Sequence, residues 1–277
     1  MRLELARLFL LERRQGDVFE RKNLDGSQMT REQWLRAIFS QRIDFVHRTG
    51  TRVFVPLDNA PDGKIVGRIG REIEVIENEP PHMGLKEIAR KQWKACLVII
   101  DPTHHDDGQK LFIQENSGVG SGYGNFESLV RTINAFSPPE PFSLELNKIS
   151  NQESFWTYVA RNKGKVTSVT LEVTMPNMFG GSSTFEEDAR RLRDQENARR
   201  IRETIENEDG LNPDTERMRE AVSYATRGGG RVKAKAKNAI PYDSSKNKKT
   251  VEVEIENSSD GMDSDFWYSL ERQIRDE

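Results

Sequence analysis

Cysteine is nearly absent. Cys96 stands alone in 277 residues, which excludes an internal disulfide framework and a cysteine-built zinc site. It falls inside the apolar run 95–100 (ACLVII), so a buried, unreactive thiol is expected. Histidine is scarce too, at four residues, and only 101–107 (DPTHHDD) gathers imidazoles with carboxylates. No apolar run approaches the roughly 20 residues of a membrane-spanning helix. The stretch MRLELARLFLLERR is interrupted by charge too often for a signal peptide. A cytoplasmic protein without membrane insertion is therefore expected. There is no G-x-S-x-G nucleophile elbow and no phosphate-loop lysine, so hydrolase, kinase and GTPase readings fail. Neither a cofactor nor a bound metal is expected.

What is present is charge. Hydrophobic residues make up 35% and charged residues 31%, with a net charge of -3. Bulk electrostatics therefore do not favour a polyanion, and any nucleic-acid site has to come from local segregation of charge. Period-2 stretches predict strands at 3–11, 43–47, 52–57, 65–76, 95–101, 110–114, 142–149, 165–175, 231–237 and 250–255. Gly67 and Gly70 suggest a bend or bulge in the fourth of these. Helices are predicted over 31–40, where TREQ has capping-box spacing, and over 85–93 and 126–136. More follow after SNQE at 150–153, over 185–207, over 213–226 and over 263–275. Strands and helices do not alternate regularly, which predicts an α+β fold with mixed or antiparallel sheets, peripheral helices and one long charged helix. Pro138, Pro139 and Pro141 mark a candidate boundary between an N-terminal domain (1–137) and a C-terminal domain (142–277).

Several places could carry chemistry. The stretch 118–124 (GVGSGYG) lies between a strand and a helix, where backbone amides can hold a phosphate. Gly120, Gly122 and Tyr123 are the contacts it offers, although the broken glycine spacing favours a flexible strand–helix connection. A metal-dependent nuclease would need acids on adjacent strands. Asp101, His104 and Glu115 form the best available set, but 101–107 also reads as a solvated turn. The predicted helix 185–207 carries a narrow seam of Phe185, Ala189, Leu192, Ala198, Ile201 and Ile205. Such a seam suits a homodimer or a partner protein that acts as an effector.

The most specific feature is basic. Between Arg227 and Lys249 eight basic residues face one acid, Asp243. In a strand, Arg231, Lys233, Lys235 and Lys237 share one face, and Val232, Ala234 and Ala236 share the other. Side chains on one face repeat every ~6.6 Å, close to the phosphate spacing along a nucleic-acid strand. Lys246, Lys248 and Lys249 follow on a polar loop. The expected ligand is double-stranded DNA, and the rival reading is an edge strand guarded by lysines. From Thr250 onward nine acids face two arginines, a tail that could shield the basic strand.

The segment 159–180 (VARNKGKVTSVTLEVTMPNMFG) is a polar turn, an alternating strand, then proline and glycine before a charged helix. Together with the LVIID and FIQEN strands and the glycine loop ahead of it, it resembles the RexA-type phage exclusion proteins in order of elements. The likeness runs from about Ala95 onward and contains no diagnostic motif. It implies a non-enzymatic, dimeric DNA-binding protein of a prophage or bacterial defence system, acting with a defence partner protein. No functional residue carries over by identity.

Overall fold

The first strand, β1 (Arg2–Glu12), is buried on both faces from Leu3 to Leu10, because strands flank it and apolar clusters cover both sides of its sheet. The computed structural model describes residues 1–13, 29–58, 63–103, 108–136, 140–174, 184–196, 198–253, 266–268, 270 and 272. Two antiparallel sheets with helices packed on them make an α+β fold.

The first sheet holds β1, β2 (Ile43–His47), β3 (Gly50–Pro56), β4 (Ile65–Asn78), β5 (Glu87–Ile100), β6 (Gln109–Gln114), β7 (Phe142–Lys148) and β12 (Thr250–Glu252). One edge of β1 pairs with β6. The other edge pairs with β12 along residues 2–4 and with β7 along 6–12. The sheet therefore takes strands from both sides of the proline-rich link. Helices α1 (Arg31–Phe39) and α2 (Gly122–Asn134) cover one face. There Trp34, Phe39, Phe54, Phe126 and the inward residues of β1, β5 and β6 form the largest core. A second cluster on the opposite face joins Leu3, Leu5, Leu97, Ile99 and Phe112 to Val253, Trp267 and Leu270.

The second sheet has the order β11 (Tyr242–Asp243), β10 (Gly230–Ala236), β8 (Val166–Thr174), β9 (Arg200–Glu206). Its apolar face is Val232, Ala234, Val169, Leu171 and Val173. It packs on α3 (Gln152–Arg161), α4 (Thr184–Glu196) and α5 (Glu216–Tyr224) through Phe155, Phe185, Ala189, Met218 and Val222.

Four sequence expectations are corrected here. Residues 85–93 do not form a helix, because β5 pairs in unbroken register with β4 from Glu87 to Ile100. That cross-strand ladder overrides the helix-forming composition. The same register leaves no bulge at Gly67 or Gly70. These glycines instead make room for rings: a Cβ on Gly67 would lie 2.3 Å from Phe54, and one on Gly70 would lie 3.3 Å from Trp93. The long charged helix ends at Glu196, and residues 200–206 form β9, antiparallel to β8. Its apolar seam is consumed internally, since Phe185 and Ala189 are core residues and Ile201 and Ile205 pack on the same cluster. Finally, β10 does not pair with 250–255. Its partners are β8 and β11, and β12 joins β1.

Beyond Gly70 and Ala95, β4 and β5 continue as a two-stranded arm about 25 Å long, with Ile76 and Trp93 exposed. Ion pairs Lys91–Glu72 and Arg90–Glu77 cross it. Each is solvent-exposed and contributes only tenths of a kcal/mol.

Candidate nucleic-acid interface

Strand β10 is placed by glycine. A Cβ on Gly230 would lie 2.1 Å from the carbonyl oxygen of Glu172, so only a bare backbone lets β10 close onto β8 at that point. From there Val232 and Ala234 turn into the core and Arg231, Lys233 and Lys235 turn to the opposite face. The expected two-faced strand is present as far as Lys235; the register shifts between Lys235 and Ala236, and Lys237 lies in the turn beyond the strand. Its cations are not alike.

Arg231 forks onto Asp243, with Nε donating to Oδ1 at 2.7 Å and a second hydrogen bond to Oδ2. That guanidinium holds the Asp243 carboxyl far below the usual carboxylate range. Lys233 donates to Glu172 at 2.9 Å, and Arg202 reaches the same carboxylate at 3.0 Å. Burial pushes the Glu172 carboxyl up, but Lys233, Arg202 and Arg231 outweigh it and keep it ionised. Lys248 lies between Glu4 and Glu115. These three cations are therefore engaged by acids.

Lys235 and Lys237 differ. They are exposed, and among the described residues no carboxylate pairs with either. The β10–β8 register puts Ala236 opposite Val166, and the Lys237 amide donates to the Lys165 carbonyl at 2.9 Å. This brings the turn 162–165 alongside, with Lys163 and Lys165 exposed and likewise without an acidic partner among the described residues. Gly164, at φ +70, makes the turn possible. Four lysines thus share one end of the second sheet, bounded across β8 by Glu206 on β9. The sequence reading found two of them. The basic turn RNKGK was the available signal for the other two, but only the pairing of 166 with 236 gives it meaning. Lys246 and Lys249 are exposed but lie after Ser244, whose Oγ accepts from the Val232 amide nearer the start of β10. They do not join the four.

The glycine-rich stretch is accounted for structurally. Ser121 caps α2 by accepting from the Gly124 amide at 3.1 Å. The Gly118 amide donates to Asn116 Oδ1, and that of Gly120 to the Asn116 carbonyl. Gly122 carries no side chain because a Cβ would lie 2.6 Å from Ile113. Tyr123 donates its hydroxyl to the Leu146 carbonyl at 3.0 Å, and its ring lies under Lys148 Nζ at 4.4 Å from the centroid. Burial pushes its phenol pKa well up. The Gly118, Gly120 and Gly124 amides and the Tyr123 ring and hydroxyl are thus engaged within the chain.

Asp101 and Glu115 sit at opposite ends of the β6 ladder. The Asp101 amide bonds to Lys110, and the Glu115 amide bonds to Arg2. Five residues of strand separate them, about 16 Å. His104 lies outside the described residues, as does most of the acidic tail. No group of three potential metal ligands occurs among the described residues. Asp101 is instead an anchor, paired with Lys64 at 2.6 Å and accepting from Thr103. Burial raises its carboxyl pKa, but the bonds from Lys64 and Thr103 prevail and bring it to about 2. Its folded pKa lies below the unfolded value near 3.9, so its contribution is complete above about pH 4 and is lost as pH falls through the folded value. Acid unfolding between about pH 5 and pH 2 should cost the native protein about 2 kcal/mol more than it costs Asp101→Asn. Equal losses in the two proteins would refute the anchor.

Two antiparallel sheets, each with its own packed helices, define an α+β fold that carries at one sheet end a lysine cluster without carboxylate partners among the described residues. The chain belongs to the family described as Domain of unknown function (DUF4747), whose model matches residues 84–268. That span runs from the arm through the whole second sheet. No curated protein and no solved structure matches, and the likeness to phage exclusion proteins stands on the order of elements alone. No helix among the described residues is long and apolar enough to cross a membrane.

Proposed function

We propose that this chain is a non-enzymatic DNA-binding protein that holds double-stranded DNA by its phosphates through Lys163, Lys165, Lys235 and Lys237. One observation carries the reading: the four are exposed, adjacent in space and without a carboxylate partner among the described residues. In contrast, Arg231, Lys233 and Lys248 are held by acids. In a chain of net charge -3, a polyanion needs local segregation of positive charge of this kind. Contacts of this kind position a duplex without reading its sequence. The setting in a prophage or defence system rests on the resemblance described above, not on the lysines.

Anisotropy of a labelled duplex, titrated with salt, tests the proposal. Changing all four lysines to Glu should weaken binding roughly a hundredfold near 0.1 M salt and flatten the salt slope by about 3 to 4. Lys233→Ala should change it little, because Glu172 already engages that ammonium. An unchanged affinity in the fourfold variant, with its melting curve intact, would falsify the proposal.

A further inference from the structure

A second group of cations without ion-pair partners among the described residues lies on the first sheet, where the β2–β3 hairpin meets α2. His47 Nδ1 and the Ser128 hydroxyl are 2.9 Å apart, and Arg131 donates to the same Ser128 oxygen at 2.8 Å. Arg52 reaches the neighbouring turn of α2, donating from Nε to Asn125 Oδ1 at 3.2 Å. Arg48 follows His47 in the hairpin turn at φ +55, a conformation in which glycine would be cheaper. Arg71 on β4 is close enough to Arg52 to repel it. Among the described residues none of these four arginines has an ion-pair partner, and Glu127 is the acid that faces His47. By comparison, Arg36, Arg42, Arg200, Arg217 and Arg219 each have a carboxylate within bonding distance.

We infer that His47, Arg48, Arg52 and Arg131, with Arg71 behind them, form a binding site for a phosphate group carried by a small molecule. The geometry separates this ligand from a duplex. These groups gather about His47: Arg131 shares the Ser128 oxygen with it, and Arg52 and Arg48 lie close enough for their charges to act on it, which suits a single compact dianion accepting several charge-assisted hydrogen bonds. A row of monoanionic diesters would instead call for cations spread along the duplex. Guanidiniums also match phosphate oxygens in bidentate fashion. The Ser128 oxygen accepts from Arg131, which leaves its own proton for His47 Nδ1 and presents the imidazole Nε2 as a further donor. Burial and the flanking Arg52, Arg48 and Arg131 all depress the His47 pKa, opposed by Glu127. A bound dianion offsets that field, so it should raise the affinity of His47 for a proton.

The test is a proton NMR titration of the four histidines across pH, alone and with inorganic phosphate, with pyrophosphate, and with a short duplex. Phosphate and pyrophosphate should raise the His47 midpoint and leave His82 in place. Arg52→Gln combined with Arg131→Gln should weaken that response about tenfold or more. Arg48→Gln should act in the same direction. Its exposed side chain makes no hydrogen bond or ion pair among the described residues, so it keeps the test alive if the double variant unfolds. A His47 midpoint that does not move at about 10 mM of either anion, tenfold above a millimolar dissociation constant, overturns the inference. So does a midpoint that moves only with the duplex.

Discussion

Trp34→Ala should lower unfolding stability by about 3–5 kcal/mol, the largest loss expected from any single truncation here. The indole is fully buried in α1, packs at 5.5 Å between ring centroids on Phe142, and donates from Nε1 to Glu140 at 3.0 Å. Removing it therefore does two things at once. It opens a cavity between α1 and β7, and it takes a donor from a buried carboxylate. Trp34→Phe separates the contributions, because it keeps most of the volume and loses the N–H. Urea unfolding should place the phenylalanine variant between wild type and alanine. An alanine variant with an unshifted midpoint would mean that α1 does not close this core.

Gly230→Ala comes next, at about 3 kcal/mol. Gly230 itself is in extended backbone, so the cost comes from contact and not from dihedral strain. The added methyl would meet the Glu172 carbonyl at 2.1 Å and Val173 Cα at 2.8 Å, both backbone atoms of β8 that cannot swing aside. Strand β10 would have to lift from β8 at its first pair, taking Arg231 away from Glu172. A melting temperature equal to wild type would show that the close approach is not required. If the lysine cluster binds DNA as proposed, the same variant should also bind more weakly, since Lys235 and Lys237 depend on the β10–β8 register.

Where one residue's neighbours decided its structure, the sequence was readable. Thr30 and Gln33 form the capping box the spacing predicted, each bonding the other's backbone amide, and β2 follows its period-2 pattern; β8 keeps it from Val169 to Val173, but a register shift opposite Thr167 brings Val166 into the same core. At α3 the cap is Asn151, not Ser150, a shift of one residue. Illegibility had a physical cause in each remaining case. Ile201 and Ile205 are four apart, a spacing that suits one face of a helix and one face of a strand equally, so β9 read as helix. Residues 87–94 have helix-forming side chains and become strand only because β4 is beside them. The candidate site failed to show for the same reason. Lys163 and Lys165 are ordinary turn residues until a strand some seventy positions later lies against them, and Arg48, Arg52, Arg71 and Arg131 come from four separate elements.

The place of β1 also sets a timetable. It is made before every strand it will pair with: β6, then β7, and last β12, where Arg2 lies opposite Glu252. At about 5–20 residues per second of synthesis, β1 waits on the order of tens of seconds for that last partner. Until those partners arrive, a leucine-rich segment has unpaired edges, a hazard that long-range strand pairing brings with it. Cells making this protein faster than they can shelter β1 should accumulate it in aggregates, although the finished sheet leaves β1 covered.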